Sequence, residues 1–191
     1  MTLRLPVACL LAGTLLAGCA DPPNKEMDQA QGAIDAARAA GADKYATTEY
    51  TAATDALKRA QDAVGQRDYR QALQEALDSR EHAQNAAREA ADSQAQVRGE
   101  VERDMAQIAA LIAQANSRLA AASRSRVPRR TVDASRKTLA AVDDSVQKAG
   151  TAMKADDYLA AKADLQGVRE QITQAIAALE PPGAQSSRRS R

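Results

Sequence analysis

Met105 to Ala122 reads MAQIAALIAQANSRLAAA, and within it Met105, Ile108, Ile112, Ala115, Leu119 and Ala122 recur at alternating spacings of three and four. That rhythm sets the six side chains along one face of a helix. Sustained, it specifies left-handed pairing of helices with side chains interlocked along a seam. On the N-terminal side no proline interrupts the chain back to Tyr69, and Asp68 followed by Gln71 fits a capping box that starts a helix at Tyr69. One helix of roughly 80 Å is therefore expected, weakened by about 1 kcal/mol at Gly99. Its first half is rich in alanine and polar residues, which leaves its packing face undefined.

The same spacing recurs in every flanking segment. Met27, Ala30, Ile34 and Ala37 mark a helix that Gly41 ends, and Tyr50, Ala53, Leu57, Ala60 and Val64 mark one from about Thr48 to the turn Gly65-Gln66-Arg67-Asp68. Ser123 to Val127, followed by Pro128, breaks the long helix. A fourth helix carries Val132, Ser135, Leu139, Val142, Val146, Ala149 and Met153. A fifth, capped by Asp156 and Asp157, carries Tyr158, Ala161, Leu165, Val168, Ile172, Ala175 and Leu179 without interruption until Glu180-Pro181-Pro182-Gly183.

Val64 to Glu81 aligns without gaps onto Met153 to Glu170, superimposing Asp68-Tyr69 on Asp157-Tyr158 and Arg80-Glu81 on Arg169-Glu170. The expected fold is all-α: an elongated antiparallel helical bundle or coiled coil of two helical-hairpin units sharing a long connecting helix. The arrangement looks like spectrin-type three-helix repeats with a continuous connector. Residues 27–97 form the first unit, residues 98–180 the second, and residues 181–191 a basic tail too poor in apolar side chains to fold. Small alanines on the seams let helix axes approach closely and would equally suit pairing of two copies of the chain.

Composition agrees with thin, closely packed helices. There is no Phe or Trp, there are four Tyr, and about a quarter of the residues are Ala, the strongest helix former.

The N-terminus has a different character. Arg4, an apolar run from Leu5 to Leu16, and Leu16-Ala17-Gly18-Cys19 read as a signal peptide over residues 1–18 with a processing site before Cys19. The run is too short to remain as a membrane-spanning helix. Leu-Ala-Gly-Cys resembles the bacterial lipobox, which implies diacylglycerol on the Cys19 thiol and an acyl chain on its amine. No other cofactor is expected. Asp21-Pro22-Pro23-Asn24 sits in a short lipidated linker over residues 19–26. By the same resemblance, Ala20 in place of an Asp directly after the cysteine implies delivery to the outer membrane, on its periplasmic face. Cys9 leaves with the signal and Cys19 carries lipid, so no disulfide is available.

Loss of Arg4 leaves acids and bases balanced, which argues against a nucleic-acid partner. Charge is locally uneven. Arg124, Arg126, Arg129, Arg130, Arg136 and Lys137, with Arg118 before them, face only Asp133, and Arg188, Arg189 and Arg191 close the chain. This elbow is the candidate contact for anionic headgroups or a cell-wall polymer; as a bland alternative it solvates a turn.

Side chains for chemistry are few. His82 is the single histidine, and no zinc-ligand spacing, nucleophile elbow or phosphate-binding glycine loop occurs. Asp143-Asp144 and Asp156-Asp157 are adjacent pairs, and neighbouring helical residues diverge rather than converge on a substrate. Tyr69 and Tyr158 occupy equivalent repeat positions and are expected to pack against the turn. No enzymatic activity is expected.

With these helices placed, Ala33 to Ala91 resembles an alanine-rich family of bacterial envelope lipoproteins, domain of unknown function 4398. The resemblance is carried by Ala36, Ala40, Tyr50, Ala53, Leu57, Ala60, Asp68, Tyr69, Ala72, Ala76 and Ala83. In that family the domain can be joined to a peptidoglycan-binding module, and no such module follows Ala91 here. The expected function is an outer-membrane-anchored spacer or docking module with an envelope protein or cell-wall partner. The alternative is a lipid-tethered ligand-binding or enzyme-inhibiting module, with an apolar groove between the two units.

Overall fold

The computed structural model describes residues 21–180. Seven helices follow in order: α1 (Asn24–Ala39), α2 (Ala42–Tyr45), α3 (Thr47–Gly65), α4 (Tyr69–Ala122), α5 (Arg129–Lys154), α6 (Tyr158–Asp164) and α7 (Val168–Ala178). Among the described residues there is no strand, and the fold is an all-α bundle.

The axis of the molecule is α4, whose 54 residues run unbroken through Gly99 and span about 80 Å. Asp68 caps it, its carboxylate accepting the Gln71 amide at 3.0 Å. Helices α1 and α3 lie against its first half, and α5, α6 and α7 against its second. Cross-helix contacts give the directions. Glu49 meets His82 and Arg59 meets Glu75, so α3 runs antiparallel to α4. Gln29 meets Arg80 and Gly41 approaches Gln94, so α1 runs parallel to it. Lys162 meets Glu100 and Leu179 closes against Ala122, so α6 and α7 also run parallel. Two three-helix bundles thus sit end to end on one shared helix.

The first half of α4 buries Ala72, Ala76, Ser79, Ala83, Ala86 and Ala90, which supplies the face that sequence left undefined. The second half buries Val101, Ile108, Ala115 and Ala122, with Met105, Ile112 and Leu119 half-buried between them. From Ala90 to Val101 the step is eleven residues instead of a multiple of seven. Such a step offsets the angular drift of a straight helix against a heptad, so one face of α4 serves both bundles without supercoiling across the junction.

Two features depart from the sequence reading. The turn after α1 holds the short helix α2, entered through Gly41 at φ 82 and burying Ala42. The fifth helix is divided at Gly167, which adopts φ 74 between α6 and α7. A glycine inside a helix is costly, and here it takes the left-handed conformation that other residues avoid. The expected stripe survives the break, because Tyr158, Ala161, Leu165, Val168, Ile172, Ala175 and Leu179 are all buried.

The repeat is visible in hydrogen bonds. At the end of α3, the Asp68 amide donates to the Ala63 carbonyl and the Arg67 amide to Val64; at the end of α5, Asp157 donates to Ala152 and Asp156 to Met153. This is the paired bonding of a Schellman turn. Arg67 and Asp156, at matching positions, both hold positive φ.

Candidate functional site: the basic elbow and the flanking clefts

After Ala122 the chain turns through residues 123–128 and re-enters helix at Arg129. The turn is fixed from beneath by an apolar plug of Ala122, Val127, Val132 and Leu179. Burial of Val127 leaves the polar residues of the turn no inward direction, and Arg124, Arg126, Arg129 and Arg130 are exposed. None of these four forms an ion pair among the described residues. Arg136 pairs with Asp133 at 3.1 Å on the outer face of α5, and Lys137 lines a shallow flank cleft with Thr138, Gln171 and Gln174. The six elbow residues therefore separate into four unpaired arginines at the tip and two cations along the helix.

The local electrostatics of that tip are unusual. Pro128 caps α5 without a side-chain hydrogen bond, and no acid occupies the first turn. Cations at a helix N-terminus oppose the positive end of the dipole, whereas Arg124 and Arg126, just beyond the carbonyl end of α4, complement it.

Among the clefts elsewhere, two lie where helices break or bundles meet. One of about 540 Å³ opens beside the α6–α7 break and is lined by Asp104, Ile108, Lys162, Leu165, Gly167 and Arg169. Three of its charged groups are engaged, Arg169 with Asp104 at 2.6 Å and Lys162 with Glu100 at 2.7 Å, while Glu170 also lines it. Lys162, then Gln96, hold the Glu100 carboxyl below its ordinary range by hydrogen bonding. The other, about 420 Å³, lies where the two bundles meet and is lined by Arg38, Asp43, Lys44, Gln94, Asp156 and Asp157 among others. It is predominantly polar, unlike the apolar groove that a ligand module would need. Sequence gave no reason to bring Asp43 near Asp156, since the two turns meet only because both bundles end at the same level of α4.

The other sequence candidates have structural partners. Asp157 caps α6 through the Ala160 amide at 3.1 Å, and Tyr158 donates to Asp156 at 2.6 Å. That hydrogen bond, followed by burial, raises the Tyr158 pKa above its usual value. Tyr69 is half-buried beside its turn. His82 lies 2.8 Å from Glu49. Asp143 and Asp144 are exposed on α5. Among the described residues no group of three or more His, Cys, Asp or Glu is placed to hold a metal ion, and no helix is long and apolar enough to cross a membrane. The signal segment, Cys19 and the tail beginning at Pro181 lie outside the described residues.

A family model matches α1, α2, α3 and the part of α4 that packs on them. The match is to the domain of unknown function DUF4398 and covers residues 25–101. The DUF4398 region extends beyond the Ala33 to Ala91 stretch on which the resemblance rested, and ends at Val101, the first branched side chain that α4 buries. It therefore coincides with the alanine-filled bundle. No curated protein and no solved structure matches the chain.

Proposed function

We infer that this chain is a lipid-anchored, non-enzymatic spacer or docking rod of the bacterial envelope, tethered at Cys19 to the periplasmic face of the outer membrane. The observation that carries this reading is the continuous α4 with its bundles in series. The Gln29–Arg80 contact places the N-terminal end of α1 near one end of the rod, and roughly 60 Å of helix separates that contact from the elbow after Ala122. A lipid on Cys19, five residues before Asn24, would enter close to the first end and leave the elbow free at the other. Two further features support the reading. The N-terminal sequence resembles a lipobox, and three acyl chains anchor stably where one does not. Of the adjacent acid pairs, Asp156 accepts a hydrogen bond from Tyr158 and Asp157 caps α6, which leaves that pair little freedom for acid–base work.

The test is Cys19→Ala in cells. We expect the protein to leave the detergent-extractable membrane fraction and appear unprocessed or soluble, while the helical content of the purified chain is unchanged. Membrane association equal to that of the parent would refute the anchor. The alternative of a tethered ligand-binding or inhibiting module is weakened by the polar lining of the cleft between the bundles.

A further inference from the structure

We propose that the elbow is a docking tip for the phosphate headgroups of an anionic phospholipid surface, held by Arg124, Arg126, Arg129 and Arg130. The inference deepens the docking half of the reading above and does not need the tether for its chemistry.

Four guanidinium groups project from one turn and the helical turn that follows it, all exposed. Asp133, the one acid within the elbow sequence, is already paired with Arg136. Arg129 and Arg130 also stand in the first turn of α5 without any acid there. That placement works against the isolated helix and favours a bound anion, because the dipole and the side chains then act with the same sign. Arginine forks match phosphate oxygens two at a time and retain their charge at any physiological pH.

The shape selects among anions. The four arginines are exposed around a turn whose apolar side chains face inward, and they line neither the α6–α7 cleft nor the junction cleft, the places where a peptide could be enclosed. The tyrosines that could stack against sugar rings lie elsewhere, Tyr45 and Tyr50 in the first bundle, Tyr69 at its outer turn and Tyr158 at the junction. Apolar side chains at the elbow are committed to the plug under it, so attachment would be electrostatic, without insertion into the acyl region. An exposed cationic turn can meet a flat, densely charged surface with all four arginines together, and each is expected to contribute roughly a fivefold increase in partitioning.

The experiment uses the chain from Ala20 onward, which contains all of the described fold and has no tether, so a failed anchor and a failed elbow are read separately. Co-sedimentation is measured with phosphatidylcholine vesicles with and without phosphatidylglycerol, and binding to soluble poly-glutamate in parallel. We expect association only with phosphatidylglycerol vesicles. Substituting Arg124→Gln, Arg126→Gln, Arg129→Gln and Arg130→Gln together should weaken it by roughly 600-fold, the product of four fivefold factors. A control removing equal charge from exposed positions, Lys25→Gln, Lys58→Gln, Arg70→Gln and Lys148→Gln, should change it only a few-fold. Circular dichroism verifies that both variants remain helical. Equal losses in the two variants would assign the effect to overall charge and overturn the proposal. Failure of the parent chain to bind the anionic vesicles would also overturn it, as would tighter binding of poly-glutamate than of vesicles through the same arginines, which would point to an acidic protein.

Discussion

The two bundles share one plan and fill it differently. Their turns have the same paired bonding, the same positive φ before the cap, and an aspartate accepting the amide three residues on. Yet eight of the ten residues in the main buried cluster of the first bundle are alanine, with only Ile34 and Leu57 branched. Of the ten in the second, seven are branched, and alanine appears only as Ala115, Ala149 and Ala161. Along the aligned helices, Ala76 corresponds to Leu165, Ser79 to Val168, Ala83 to Ile172 and Ala90 to Leu179. Alanine buries little apolar area per residue, so the first bundle must gain its stability from close backbone approach. The Ser79 hydroxyl shows that closeness, reaching the Ala53 carbonyl across the α3–α4 contact at 2.8 Å. The second bundle gains more from transfer of side chains out of water.

This difference predicts opposite sensitivities, and the largest expected effects come from testing size in both directions. Ile172→Ala should cost about 2–5 kcal/mol, because the side chain is fully buried and neighbouring helices relax only partly into the cavity. Ala86→Leu should cost about 1–3 kcal/mol or more by forcing apart helices that have no spare volume. Denaturant unfolding with hydrogen exchange resolved along α4 measures both. We expect loss of protection mainly between residues 97 and 122 for Ile172→Ala and mainly between 72 and 94 for Ala86→Leu. If Ala86→Leu stabilised the first bundle, close approach would not be what holds it.

How much of this was legible follows the same division. In the second bundle the seams were readable residue by residue, since Leu, Val and Ile stand out against polar neighbours at helical spacing. In the first half of α4 they were not. Alanine occurs both on the buried face and outside it, as buried Ala86 and half-buried Ala87 show, so periodicity has little contrast there. The uninterrupted connector was readable because proline is absent between Tyr69 and Ala122, and the hairpin turns because the Asp-Tyr pairs repeat. The break at Gly167 was missed because the buried stripe continues across it in register, and only the glycine itself marked a change of backbone. For the elbow, sequence identified the cluster of charges. It could not tell that Arg136 has a partner while the four arginines at the tip have none, since that depends on which face of α5 each one occupies.

Gly167 offers a smaller test of the comparison. The aligned residue in the first bundle is Asp78, inside the continuous α4, whereas Gly167 holds φ 74 with open space where a Cβ would stand. Gly167→Ala should therefore destabilise by about 1 kcal/mol for conformational reasons alone. Thermal unfolding should show the loss, and hydrogen exchange should locate it in α6 and α7. A neutral result would mean that the break is readily converted into continuous helix, making the two bundles more alike than their backbones suggest.

The smallest expected effect concerns the ion pair that fastens α6 to α4. Lys162 and Glu100 stand 2.7 Å apart, with side chains 53% and 30% exposed, so solvent screens the interaction. Hydrogen bonding from Lys162 and Gln96 lowers the Glu100 pKa in the folded chain. The folded protein therefore binds a proton there less readily than the unfolded chain. Stability from this group is fully present above the ordinary carboxylate range and is lost as pH falls through the depressed folded value. Glu100→Gln should lower the melting temperature slightly at neutral pH, and the gap from the parent should close on acidification into that window. Enhanced exchange should begin in α6, because Arg169–Asp104 still fastens α7. A gap that stayed constant with pH would attribute the difference to packing of the side chain instead of its charge. In that case the second bundle would be held by its branched core alone, which would sharpen the contrast with its alanine-filled neighbour.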